Sequence, residues 1–310
     1  MVPTWKVALV LTLGVLAVST SAIFIRLAFE SASVYNVGFS LVIAASRLSL
    51  ASLILLLTSL KPRKSQGSQQ RADFNYTAFY YAIGAGFCLS LHFATWITSL
   101  TYTSITASTT LVTTNPIWVT FITWLWLKEK PTFLTLLGIG IALAGGITIS
   151  LSSSSSSSIN TSSQPLLGNF LALVASWAAS FYLLLGRESQ RRGLSISKYV
   201  TVAYTTSALV LLPLPFFVGA SYINYPSQVY FYIALMALIP QLIGHTSFNW
   251  ATRMMSPIIV TLVLLFEPIG ASLLGYLIFK EVPKPLELVS AVVILIGVAL
   301  AVLGTRRVTW

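Results

Sequence analysis

NPIWVTFITWLWLKEKP at 115–131 and EPIGASLLGYLIFKEVP at 267–283 are two versions of one pattern. Each opens on a polar residue followed by proline, continues for eleven residues, and closes on Lys-Glu, one residue and a second proline. The two lie 152 residues apart, and the same offset pairs Ser104 with Ser256, Thr109 with Thr261 and Gly145 with Gly297. Shared leucines would mean little in so apolar a chain. Charged residues and prolines are scarce here, so their gapless alignment points to an internal duplication.

The composition says what was duplicated. Of 310 residues, 56% are hydrophobic and 8% charged, with a mean hydropathy of +0.84. A soluble domain carries about 25% charged residues, so this chain cannot cover itself with polar surface. Roughly 20 apolar residues cross a hydrocarbon core of about 30 Å, and the length allows about ten crossings. Apolar runs fall near 7–27, 36–60, 77–100, 104–127 and 132–151, then near 166–186, 199–219, 228–250, 257–279 and 285–304. Backbone in lipid must satisfy its own hydrogen bonds, so runs this long and apolar are helices. The expected fold is all-α integral membrane, with ten transmembrane helices as two inverted five-helix repeats. Residues 1–151 form the first repeat, 152–165 a Ser-rich external linker and 166–310 the second repeat. The linker contains the tract Ser152–Ser158 and an acceptor pattern for N-glycosylation, Asn160-Thr161-Ser162, which matters only in a secretory setting. The run after Lys6 is long enough to span and has no convincing cleavage site before Arg26, so it reads as the first helix rather than a signal peptide.

Five is odd, so a second copy must enter the membrane from the opposite side. Charge agrees. With the N-terminus inside, the cytoplasmic segments hold fourteen of the eighteen Lys and Arg residues, among them Lys61, Arg63, Lys64, Arg71, Arg187, Arg191, Arg192 and Lys198. The external loops hold only Lys280 and Lys284, with Arg26 near an outer helix end and Arg47 inside a span. This asymmetry predicts both termini in the cytoplasm. It also accounts for the net charge of +11 without nucleic acid as a partner; the partners expected are the lipid bilayer and a small-molecule substrate. Inverted repeats let two halves exchange roles and open a midplane site to either side in turn, which is the physical reason to expect a transporter.

The Glu267-Pro268 pair, the stretch LLGYLIFKE at 273–281 and their weaker first-half copy resemble the EamA-type repeats of the drug/metabolite transporter superfamily. The resemblance runs from about residue 8 to residue 304. It implies a ten-helix exporter or exchanger of amino acids or other small metabolites, with inward termini and a central cavity, and it does not choose a substrate. The first copy departs from the pattern, with Asn115 where the second has Glu267, so a pair of carboxylates is excluded.

Polar groups inside the spans are the candidate substrate-binding residues. Arg47 falls near the centre of the second span, where insertion costs at least about 2.5 kcal/mol. It either holds a substrate carboxylate or pairs with Glu267, or else it bridges helices structurally. Glu267, in the ninth span, precedes a proline that removes a helical hydrogen bond. It is the candidate for proton coupling, against a structural role pinning a broken helix. Asn115 stands at the mirrored place and either binds solute or caps loosened carbonyls. His92 and Trp96 share a helical stripe with Ser99 and Tyr102, and Gln241 and His245 share one with Asn249 and Thr252; both stripes are expected to line a cavity. Trp177, with Ser180 and Tyr182, repeats the mixture of aromatic and hydroxyl groups. Hydroxyls at Ser19, Thr20, Ser21, Thr106, Thr109, Thr110, Thr113 and Thr114 either bond the preceding turn or line a wet path. Small residues at Gly138, Ala142, Gly146, Gly297 and Ala301 suit close helix packing, within the bundle or in a homodimer.

No metal site or cofactor is expected, and the single cysteine, Cys88, reads as a packing residue. An intramembrane enzyme would need a zinc-binding His-Glu-x-x-His helix, a Ser/His pair or facing aspartates. The only aspartate is Asp73, in a loop, and the two histidines sit on different helices. The expectation is efflux or exchange by alternating access. A neutral, zwitterionic or singly anionic metabolite suits one deep arginine better than a sugar phosphate or nucleotide sugar; a non-transporting structural subunit is the other alternative. Short loops and the lack of a transit-like leader suggest a bacterial inner membrane.

Overall fold

Prolines and hydroxyls decide where the apolar runs divide. The computed structural model describes residues 3–59, 75–127, 132–154, 164–255 and 257–304. The charged loop around Lys61–Asp73, Lys128–Lys130 and residues 155–163, with most of the serine tract and the glycosylation pattern, lie outside the described residues, while the helix that ends at Ser154 takes in the first serines of the expected linker. The first run is divided at Thr20 into α1 (Thr4–Ser19) and α2 (Ser21–Ala32). There the Ser19 and Thr20 hydroxyls donate to the carbonyls of Val15 and Ala17, at 2.9 and 2.7 Å. Then come α3 (Val37–Ser59) and α4 (Tyr76–Ser99). The fourth run is split into α5 (Ile105–Val112) and α6 (Asn115–Leu127), and α7 (Phe133–Ser154) follows.

The second half opens with α8 (Pro165–Arg191), α9 (Ile196–Leu211) and the single turn α10 (Leu214–Phe217). Next, α11 (Ser227–Met236) leads through a π-helical stretch, Ala237–His245, into α12 (Thr246–Met254). The π-helical stretch contains Pro240, which has no N–H for the regular ladder and so favours a local change of winding. The chain closes with α13 (Pro257–Leu264), α14 (Glu267–Phe279) and α15 (Pro285–Gly304).

Among the described residues, eight runs are long and apolar enough to cross a bilayer by length and composition, and Phe133–Thr148 of α7 is a shorter apolar helix. The fourth run falls short as one continuous helix because the turn before Pro116 divides it into eight and thirteen residues. Elsewhere the helices outrun the sequence expectation at their polar ends: the first extends to Thr4–Ala32 and the sixth to Pro165–Arg191. Interfacial backbone can stay helical after the apolar run stops.

The duplication is visible in the helices. α5, α6 and α7 begin at Ile105, Asn115 and Phe133, and α13, α14 and α15 begin 152 residues later at Pro257, Glu267 and Pro285. Taken as whole runs, α5–α6 lies antiparallel to α13–α14, and α7 to α15. The backbone N–H of Ile105, at the start of α5, donates to a carboxylate oxygen of Glu281, just past the end of α14, at 3.0 Å. Thr132, before α7, donates to the carbonyl of Gly304 at the end of α15, at 2.6 Å. In the middle of that contact Gly145 faces Ser290 and Ile294. Likewise Gly38, near the start of α3, lies against Val218 and Ala220, beyond α9 and α10.

The α7–α15 contact consumes the small residues noted in the sequence. A Cβ on Gly297 would sit 2.5 Å from the backbone nitrogen of Ala142 and 2.7 Å from the carbonyl oxygen of Gly138. The backbones touch, as small residues at four-residue spacing allow. Gly297→Val is therefore expected to destabilise the bundle by about 1–3 kcal/mol through overpacking. Gly140, with nothing within 4 Å of its added Cβ, supplies the control Gly140→Ala. Thermal unfolding in detergent checks the pair, and equal midpoints would contradict the close contact.

Candidate functional site

The two proline breaks meet at the centre of the bundle. Pro116 supplies no N–H to the carbonyl of Val112, and Pro268 none to that of Leu264. The chain tightens at both places, with Thr114 N–H donating to Leu111 O at 3.2 Å and Leu265 N–H to Leu262 O at 3.1 Å. Val112 and Leu264 both line an internal cavity of about 50 Å³, together with Asn115 and Glu267 from the same breaks. A water needs roughly 10–15 Å³ of such space, so the cavity is contracted, with room for a few waters. Loosened backbone in a membrane is tolerated where it faces a cavity rather than lipid.

The rest of the wall comes from both halves. Ser21 stands at the α1–α2 break, His92 and Trp96 on α4, Tyr182 on α8, His245 at the end of the π-helical stretch and Phe248 on α12. His92 Nδ1 lies 2.9 Å from the carbonyl oxygen of Ala175. A carbonyl only accepts, so Nδ1 carries the proton and Nε2 is left as an acceptor. The His92 ring stacks near Trp96 at 6.0 Å and meets His245 edge-on at 6.1 Å. Among the described residues no set of three His, Cys, Asp or Glu side chains could hold a metal.

Arg47 is not on this wall. Its side chain is completely buried, with Nη1 donating to Ser21 Oγ and Nη2 to Gln241 Oε1, each at 3.0 Å. Its guanidinium carbon lies 4.2 Å from the centre of the Phe93 ring. The cation is thus held by two neutral acceptors and an aromatic face, tying the α1–α2 break and α3 to the π-helical stretch. Among the described residues no ion pair joins it to Glu267; those present link Glu188 to Arg191 and Arg192. Gln241, its partner, is also fully buried and faces Arg47 rather than the cavity.

Of the eight residues expected to bind solute, the structure gathers His92, Trp96, Asn115, His245 and Glu267 around one cavity, with Arg47 and Gln241 directly behind it. Trp177 stands apart. It is 42% exposed on the outside of α8, edge-on to Phe181. Tyr182 lines the cavity instead. Five residues turn a helix by about 140°, and the buried stripe Gly168, Ala172, Ala175, Ala179, Tyr182, Gly186 was readable as the inward face. Thr113 and Ser21 are further polar lining residues that were not singled out for binding; the Thr113 hydroxyl also donates to Thr109 O at 2.9 Å.

Several polar groups at the cavity lack internal hydrogen-bond partners among the described residues. Trp96 Nε1 and Asn115 Oδ1 are buried with none, and the Glu267 carboxyl, 9% exposed, lines the space without a hydrogen bond. Such groups are costly unless something fills the cavity and bonds them.

A small internal cavity between two broken helices, lined by both halves of a duplicated helical bundle, is an arrangement that membrane transporters use. The model of the EamA-like transporter family matches residues 5–151 and again 166–303, and the chain belongs to that family of transporters. A solved structure titled "Crystal structure of protein" has a similar fold, with a TM-score of 0.62 at 14% identity, covering 99% of this chain and all of the other. No curated protein matches the chain.

The arrangement separates a structural cation from a candidate site carboxyl. Arg47→Met leaves Gln241 Oε1 buried without its donor and is expected to cost about 1–3 kcal/mol. Adding Gln241→Met should recover part of that loss, since both partners then leave together. Glu267→Gln, at a group with no hydrogen bond to lose, should shift stability by less than about 0.5 kcal/mol. Unfolding midpoints of the four proteins decide this; Arg47→Met as stable as the parent would remove Arg47 from the framework.

Proposed function

We propose that this protein is a secondary transporter that exports or exchanges small amine-bearing metabolites, amino acids foremost, through its midplane cavity by alternating access. The observation that carries the reading is that α3 lies on α9, the α5–α6 run on the α13–α14 run and α7 on α15, each antiparallel to its second-half counterpart, beside one shared cavity. A bundle so built has two equivalent ways to close, one at each end, and exchanging them exposes the site to opposite sides. Counting α5–α6 and α7 as crossings brings the total to ten, in two inverted sets of five. The distribution of Lys and Arg puts both termini in the cytoplasm of a plasma membrane of bacterial type.

The charge of the wall supports the solute class. Arg47 is spent on Ser21, Gln241 and Phe93, so among the described residues no arginine or lysine lines the cavity. A phosphate-bearing solute needs cations at the site, which disfavours sugar phosphates and nucleotide sugars. Glu267 and Asn115 Oδ1 are acceptors awaiting donors, and an ammonium group brings three. Trp96 Nε1 is a donor suited to a carbonyl or carboxylate oxygen, while Phe248 and Tyr182 offer surface to an apolar side chain.

Glu267 also gives the site a group able to exchange a solute for a proton. Proteoliposomes loaded with a panel of labelled amino acids and amines, with and without an imposed pH difference, test the reading. Net flux of at least one amine-bearing solute is expected, driven by the pH difference and abolished by Glu267→Gln. Coupling unchanged in that variant would remove Glu267 from the mechanism, and binding without flux would point to a receptor-like protein. Accessibility labelling is expected to find the segments following Pro116 and Pro268 on opposite sides of the membrane.

A further inference from the structure

The two ends of the cavity are closed by different chemistry. At the end nearer the chain termini, the seal below Tyr182 is neutral: Asn249 Nδ2 donates to the Tyr182 hydroxyl, and Gln190 Nε2 to the Asn249 carbonyl at 3.2 Å. At the far end two carboxylates close the seam between α5 and the α14–α15 turn. Glu281 accepts from the backbone N–H of Ile105 at 3.0 Å, and Glu287, 5% exposed, accepts from the Ser104 hydroxyl. Ser104 in turn accepts from Ala107 N–H, so its side chain caps α5 and carries the Glu287 contact together. One turn deeper the Thr106 and Ser272 hydroxyls meet at 3.0 Å. The seam then leads down α5 to Thr113 and the cavity.

A perfect duplication would repeat this closure at the opposite end. It cannot. The 152-residue offset puts Pro257, which has no N–H, where Ile105 donates to Glu281. It puts Thr135 in place of Glu287 and Ile258 in place of Thr106. The Ile105 backbone donor, the Glu287 carboxylate and the Thr106 hydroxyl of the far seam therefore have no like counterpart in the sequence at the near seam. The backbone also commits itself to the far contact. Lys280, a residue with a side chain, takes a left-handed φ of 56° to cap α14 and turn the chain so that Glu281 lies over α5. That conformation is uncommon outside glycine and asparagine.

We propose that Glu281 and Glu287 form a one-sided latch on the start of α5, biasing the transporter towards the state closed at its Lys280 end. The inference rests on the alternating-access reading. A contact present in only one of two exchanging states shifts their populations by its full free energy. Opening the far end must strip both carboxylates from α5. By sequence, closing the near end brings no carboxylate in place of Glu287 and no backbone donor in place of Ile105.

The test uses a Cys88→Ser background carrying Thr113→Cys as a reporter on the cavity wall, in sealed vesicles with the Lys280 end outward. A small membrane-impermeant thiol reagent is added outside. Glu281→Ala together with Glu287→Gln is expected to speed labelling roughly tenfold, the change for one net hydrogen bond to a charged group lost from one state only. Should the double variant not fold, Glu281→Gln and Ser104→Ala, tested singly, should each speed labelling in the same direction. Unchanged or slower labelling in folded variants overturns the latch. Vesicles of the opposite orientation separate the two proposals. Labelling of Thr113→Cys from the terminal end alone, whatever the state of Glu281 and Glu287, defeats the latch and leaves the cavity reading intact. Labelling from neither end in any variant defeats alternating access itself.

Discussion

Hydrocarbon offers no hydrogen bonds, and that constraint shapes where this chain is allowed to be irregular. A proline inside a span leaves a carbonyl four residues back without its partner. Here the two prolines sit at matching places in the two halves, and Val112 and Leu264, whose carbonyls they affect, both border the same internal cavity. Lipid sees regular helix while the breaks face each other inside. The cavity is thus a consequence of how a duplicated, proline-broken helix can be buried at all, and its polar groups, Asn115 and Glu267, are the residues standing at those breaks.

The same economy governs charge. Arg47 is an arginine with no exposed surface and no ion pair among the described residues, held by a hydroxyl, an amide and an aromatic ring while its Nε is left without a partner. Because Ser21 belongs to the wall and Gln241 to the π-helical stretch that ends at His245, the arginine braces the wall without appearing on it. Glu267 has the complementary position, at the cavity and without a hydrogen bond among the described residues. One charge stabilises the framework; the other remains available to a solute. That division is why the site reads as a receiver of amines rather than of phosphates.

Duplication gives two halves the same helices, but it does not keep them equal. Drift at a few positions has left carboxylates and a backbone donor at one seam, and a proline, a threonine and an isoleucine at the matching places of the other. A symmetrical carrier would weight its two closed ends alike. On the proposed alternating-access reading, differences of this kind, each about the size of one hydrogen bond, bias which end rests closed.

Helix positions, the duplication and the proline breaks were all legible in the chain. Each is a local property: apolar length, a missing N–H, and a rare charged pattern repeated at a fixed spacing. The cluster of His92, Trp96, Asn115, His245 and Glu267 was legible in the same way, since polar residues in long apolar spans are few and fall on definable stripes. What Arg47 and Gln241 do was not, because the choice between facing a solute and facing each other is made by helices almost 200 residues apart, joined only in the packed bundle. Trp177 and Tyr182 exchanged places for a related reason: which face of α8 points inward is set by where α4 packs against its small residues. The sequence alone determined a duplicated helical membrane protein with breaks at two prolines. Only the tertiary structure decided which of its polar groups satisfy one another and which are left facing the space between the halves, because hydrogen bonds across helices depend on distances that no spacing along the chain encodes.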